Sequence, residues 1–241
     1  MSSNPTDLAL IGITTSAAPD DIAGVIDVMS AIDAVLPGTD GLKWFNWLYL
    51  MVTKAVQNAP PPGGFNYPQW LTRLDVIFAE FYFAAINTFL TGQETPRSWK
   101  ALFEARHTAD IERIQFALAG MNAHINHDLA LALLQTNAEL NLAPVKGGPE
   151  HRDYENVNDL LEQVLPEALV VLAEGGRIGE IAENTGKVGQ LLAIWNVRQA
   201  RELAWDFADQ LKPLGPLRRR FALLAQDKLT GVIGRSLLLH A

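Results

Sequence analysis

Hydrophobic residues recur along this chain at three- to four-residue intervals, and breaks rich in proline and glycine separate the helices they predict. Asp20 or Asp21 is placed to cap a helix start. Beyond it Ile22, Val25, Ile26, Met29, Ile32 and Val35 mark one face, until Pro37-Gly38 stops the run. A second helix is expected from about Gly41 to Gln57, ahead of the stiff turn-rich segment Pro60-Pro61-Pro62-Gly63-Gly64. Pro68 suits the first turn of a third, with Leu71, Leu74, Phe78, Phe81, Ala85, Ile86 and Phe89 as its buried stripe. Thr95-Pro96 opens a helical pattern that runs to about Glu139, long enough for two helices or for one that bends near Gly120. After a polar loop from Pro144 to Arg152, helices are expected at about 154–174, 187–211 and 216–239, with a glycine-punctuated short piece at 175–186. Residues 1–19 read as an extended arm, packed at Leu8 to Ile13. No β-alternation, hairpin turn or internal repeat interrupts the pattern. The expected architecture is therefore all-α: an arm over 1–19 and one helical domain of seven to nine helices over 20–241.

Composition narrows the functional classes. A chain of 241 residues, 49% apolar and 19% charged, can bury about 70% or more of its unfolded surface without a disulfide or metal to hold it. Cysteine is absent, which excludes disulfides, Cys-ligated zinc, iron–sulfur clusters and thiol catalysis. The net charge of −8 argues against nucleic acid as the main partner, because lysine- and arginine-rich surfaces drive that binding. The one basic run, Arg218-Arg219-Arg220, reads as a solvated helix start rather than an anion site. Met1 to Asp7 lacks the basic and apolar regions of a signal peptide, and no run of 18 uninterrupted apolar residues occurs. A cytoplasmic protein without a membrane span is expected.

Candidate chemistry is concentrated in Gly120-Met121-Asn122-Ala123-His124-Ile125-Asn126-His127-Asp128-Leu129, a polar group set inside an otherwise apolar helix. Each buried polar atom there needs a partner, since an unpaired one costs about 1–3 kcal/mol. Residues four apart on a helix lie about 40° apart around the axis. His124 and Asp128 therefore share a face, with Ala117, Arg113 and Asp110 extrapolated onto it, and Asn122 and Asn126 form a second pair on roughly the opposite side. A His–carboxylate pair in apolar surroundings fixes the imidazole tautomer and raises its basicity, as acid–base catalysis requires. The asparagines suit either satisfaction of neighbouring backbone or orientation of a substrate oxygen. His124, His127 and Asp128 are also three metal-type ligands, with Glu104, His107, Asp110 and Glu112 upstream. Their spacing matches neither His-Glu-x-x-His nor the di-iron Glu-x-x-His pattern, and no metal is expected.

Three further groups stand out. Trp44-Phe45-Asn46-Trp47-Leu48-Tyr49 opens an aromatic-rich helix in which Asn46, Tyr49 and Thr53 share a face; it is either core or the wall of an apolar ligand pocket. Asp75 falls on the buried stripe of the third helix, where desolvation raises a carboxyl pKa and charged partners lower it. It is either an acid or half of a structural ion pair. Asp153 reads as a cap for the helix at 154, with Asn158 one turn in; Arg198, Arg201, Glu202 and Trp205 share a broad face, on which Arg198 and Glu202 form an expected intrahelical pair. Arg201 is available to Asp75, to Asp128 or to an anionic ligand. Dinucleotide, P-loop and Gly-x-Ser-x-Gly fingerprints are missing, so no cofactor is expected.

Asn122-Ala123-His124-Ile125-Asn126 followed by Asp128-Leu129 resembles the signature of an uncharacterised all-helical family found largely in actinobacteria. Trp44-Phe45-Asn46 with Tyr49, Leu74-Asp75, Pro96-Arg97-Ser98-Trp99, Asp153-Tyr154 with Asn158, and Ala204-Trp205 add to the likeness, which spans about 42–210. His127 occupies the variable position of that signature. The resemblance implies no settled activity; some relatives sit near natural-product genes, which favours small-molecule chemistry. The leading expectation is a cofactor-independent acid–base enzyme on a largely apolar small molecule, catalysing cyclisation, dehydration or isomerisation, with spiroketal- or polyketide-type ring closure as one form. His124, Asp128 and Asp75 are the expected catalytic residues; Asn122, Asn126, Asn158, Tyr49, Asn46, Trp44 and Arg201 are the expected substrate-binding ones. The alternatives are a carrier of a lipid-like ligand and a metal-dependent hydrolase or oxygenase.

Overall fold

One helix runs through the centre of the molecule and the others are laid around it. In a computed structural model, which describes residues 4–58, 60–61, 63–174 and 196–239, the elements are α1 (Pro5–Ser16), α2 (Ile22–Val35), α3 (Gly41–Asn58), α4 (Pro68–Leu90), α5 (Arg97–Ala105), α6 (Arg113–Ala123), a π-helical turn (His124–Asp128), α7 (Leu129–Glu139), α8 (Pro149–Ala173), α9 (Val197–Leu211) and α10 (Pro216–Leu237). With α6, the π turn and α7 taken as one continuous rod, the described residues form nine helices and no strand: an all-α, single-domain fold. No helix among them is long and apolar enough to cross a membrane.

The central rod packs against α3, α5, α8 and α10 along α6, and against α4 and α9 along α7. Nearly every side chain from Ile114 to Leu133 is buried as a result, which is why the sequence there is apolar on all sides rather than along one stripe. Two glycines set the closest approach of α3 to α6. A Cβ on Gly120 would overlap the Phe45 ring, and one on Gly41 would overlap the ring of Phe116. Each helix thus offers a glycine to the other's phenylalanine, and this crossing delivers Phe45 and Tyr49 to the π turn.

Several helix starts are satisfied from a distance. Asp21 caps α2 locally through the Gly24 N–H at 2.8 Å. Asp153 of α8, by contrast, accepts from the backbone N–H groups of Asn66 and Tyr67 just ahead of α4. Asp227 of α10 accepts from the Arg97 and Ser98 N–H groups at the start of α5, at 3.0 and 2.9 Å.

Some expectations need correction. The arm is a helix: Asn4 accepts from the Thr6 N–H, Pro5 occupies the first turn, and Leu10 is fully buried as α1 packs against α2 and α4. Its run of β-branched residues argues for extension, but burial of one face outweighs that propensity. The pattern from 96 to 139 divides twice. Asp110 sits in a turn with φ of 66°, off the helical face assigned to it, and the helix is regular at Gly120 and irregular at 124–128. The helix expected from 154 begins at Pro149, so Asp153 lies inside it and cannot be its cap. The helix expected from 187 is seen from Val197, where Asn196 accepts from the Gln199 N–H; the piece at 175–186 and residues 187–195 lie outside the described residues.

Candidate acid–base site

The π turn determines where the polar residues point. Leu129 N–H donates to the carbonyl of His124, five residues back instead of four; such turns are rare and frequently accompany functional sites. His124 and Asp128 stay on one side of the rod, with Nδ1 3.1 Å from Asp128 Oδ2. That same oxygen accepts the indole N–H of Trp99 at 2.9 Å. An oxygen already accepting from Trp99 most simply accepts from Nδ1–H as well, which leaves Nε2 bare. Nε2 is buried and has no hydrogen-bond partner. Phe78 stacks on the imidazole at 3.5 Å between centroids and 6° between planes, and the Tyr49 ring meets it edge-on at 4.5 Å.

His124 forms part of the wall of a cavity of about 70 Å³, shared with Tyr49, Asp75, Phe78, Leu161 and Arg201 among others. Most of the remaining wall is aliphatic or aromatic. Asp75 retains some accessible surface, but its Oδ2 is fully buried without a partner. Burial lifts its carboxyl to about 7, opposed by the charge of Arg201. Arg201 is held from behind. Its Nε donates to Asn158 Oδ1 at 2.6 Å, its Nη2 to the Tyr154 carbonyl at 2.9 Å, and its guanidinium lies 4.1 Å over the Tyr154 ring. Burial drives the His124 pKa well below the ordinary imidazole value, so the ring is neutral at physiological pH. The same burial raises Asp128, against the pull of the Trp99 N–H. It raises the Tyr49 phenol too, with Asp75 and Asp128 adding to the effect.

Of the residues singled out from sequence, His124, Asp75, Tyr49 and Arg201 share this cavity, and Asp128 and Asn158 stand directly behind His124 and Arg201. Thr53 lines it too, whereas the remaining expected substrate-binding residues are elsewhere. Asn122 donates to the Thr230 carbonyl of α10 and accepts from Asn126, so this pair joins two helices. Asn46 donates to the Met29 carbonyl and accepts from Tyr82; Trp44 lies under Arg113. His127 opens onto a different cleft from His124, so the two histidines do not converge. Arg198 pairs with Asp159 and Glu162 of α8, not with Glu202 of its own helix. Trp99 and Phe78 were not foreseen as site residues. A buried indole N–H demands an acceptor, but nothing local says that it lies 29 residues onward.

One group among the described residues brings three metal-type ligands within 4.8 Å of one another: His151, Glu155 and Glu202. The other carboxylate oxygen of Glu202 is held by Lys146 at 3.0 Å, so an ammonium already supplies positive charge to this cluster.

No curated protein and no solved structure matches the chain. A family model matches residues 22–240, a longer span than the likeness read from the motifs.

Proposed function

The chain belongs to a family of unknown function (DUF5995); from its own site we propose that it is a cofactor-independent acid–base enzyme acting on a compact, largely apolar molecule that bears an oxygen function. The observation that supports this is His124: a neutral imidazole anchored through Nδ1, whose ring borders an apolar cavity and whose Nε2 is buried and unclaimed. Nε2 is the base and takes a proton from the substrate, and the Asp128 side stabilises the imidazolium that forms. Arg201 faces the oxygen on which negative charge develops. Asp75, near half-protonated at neutral pH, returns a proton. In a dehydration, carbon loses its proton to Nε2, the C–O bond breaks, and the departing oxygen takes the Asp75 proton to leave as water. In an isomerisation the proton goes back to a different carbon. A cavity of about 70 Å³ admits a ring-sized fragment, about a handful of water-sized groups, which favours local bond reorganisation over processing of a long chain.

The test is turnover of a panel of small apolar β-hydroxyketones and hydroxyenones in D₂O, followed by mass spectrometry. The protein should accelerate loss of water, ring closure or α-deuteration of at least one member, and His124→Gln should lower that rate by about 10²–10⁴-fold with unchanged far-UV dichroism. Equal rates for both proteins on a compound that binds saturably would overturn the reading. The carrier alternative, which native mass spectrometry would reveal as a retained, chemically unaltered lipid, shares the apolar wall but is disfavoured by the same small volume.

A further inference from the structure

The π turn has a second outlet. His127 opens onto a cleft of about 850 Å³ between α5 and α10, on whose wall also lie Arg97, Lys100, Arg219 and Arg220. Among the described residues none of these four cations forms an ion pair, in a chain whose net charge is −8. Two carboxylates share the wall, Glu94 and Asp227. Asp227 is committed: its oxygens take two backbone N–H groups and the Ser98 hydroxyl at the start of α5. The His127 side chain is nine-tenths buried, and its Nδ1 has no hydrogen-bond partner, with Asp227 4.0 Å away. Pro216, at the first turn of the 22-residue α10, also lines the cleft, and Gly215 ahead of it offers no side chain to cap the free N–H groups. Leucines 131, 214 and 223 supply an apolar wall.

Arginines without an ion-pair partner along one cleft wall, an uncapped helix start and a buried imidazole suit a doubly charged, tetrahedral anion better than a single carboxylate. The leucines call for an apolar body attached to it. We propose that this cleft is a binding site for an organic phosphate monoester with an apolar substituent, separate from the His124 cavity and independent of what that cavity catalyses.

Calorimetric titration with octyl phosphate below its micelle-forming concentration tests this, with inorganic phosphate in parallel. Octyl phosphate should bind saturably and at least about tenfold more tightly than inorganic phosphate. Arg219→Gln and Arg220→Gln should each weaken it by about tenfold, the loss of one charged hydrogen bond. Arg218→Gln, on the same helix but off the cleft wall, should leave affinity unchanged, and the His127 ring nitrogens should shift in ¹⁵N NMR on binding. No binding, equal binding of the two phosphates, or affinity insensitive to both cleft arginines would overturn the proposal. So would binding only to phosphatidylglycerol vesicles and not to octyl phosphate: that outcome would assign the cations, with the exposed Leu217 and Phe221 beside them, to a membrane surface.

Discussion

Asp75 and Trp99 show what single side chains contribute here. Burial raises the Asp75 carboxyl from 3.8 to about 7, so between those values the folded chain holds a proton that the unfolded chain releases. The stabilisation linked to this group is complete below about pH 4 and is lost as pH rises through 7. Asp75→Asn should therefore match the parent in melting temperature at pH 4 and exceed it by roughly 10 °C at pH 8; an equal offset at both pH values would remove Asp75 from the buried carboxyls. Trp99→Phe takes a donor from Asp128 and should cost about 1–3 kcal/mol in urea unfolding, with a shift of the His124 ring nitrogens that a purely apolar loss would not produce. The His124–Asp128 pair was legible in sequence because both partners lie within one helical turn. Asp153 was misread for the converse reason: its acceptor role is real, but the N–H groups it serves are 86 and 87 residues away, and sequence distance conceals them.

At the level of elements, the reciprocal fit of Gly41 to Phe116 and of Gly120 to Phe45 fixes α3 against α6. Gly120→Ala should destabilise by about 1–3 kcal/mol, because the phenylalanine must leave its rotamer or the helices must separate. Gly12→Ala is the matched comparison: its site in α1 is exposed, with nothing within 4 Å of the added methyl, and helix propensity alone should stabilise by about 0.5–1 kcal/mol. Urea midpoints of the two variants moving in the same direction would contradict this assignment. Glycine in a helical pattern invites the expectation of a bend, yet Gly120 serves contact rather than curvature. The irregularity falls four residues later, in a turn whose i+5 hydrogen bond depends on how six neighbouring helices grip the rod. Periodicity found the helices readily; it has no term for that grip.

Across the whole molecule, polar anchors join parts that the hydrophobic pattern treats separately. Arg106, 3% exposed, bonds Asp40 at the entry to α3 and Asp7 on α1, so the chain's first helix is tied to the end of α5. Arg106→Ala leaves the buried Asp40 carboxylate without its countercharge and should cost about 3–5 kcal/mol, read as a drop in the thermal midpoint. Asp7→Ala, which removes only the half-buried partner, should cost less; a larger effect from Asp7 would mean that α1 docking, not charge burial, dominates. The bundle was legible as a class because nearly every helix has an apolar face. Its N-terminal helix was not, since α1 gains its order from the surfaces of α2 and α4 it covers. The hollow beside His124 has a mechanical consequence as well. The volume a protein loses when it unfolds under compression scales with the internal space its packing leaves, and the cavity of about 70 Å³ is such a space. Hydrostatic pressure should consequently open the protein alone more easily than the protein with a compound bound in that cavity, and the pressure midpoint would then rank prospective occupants before any reaction is known.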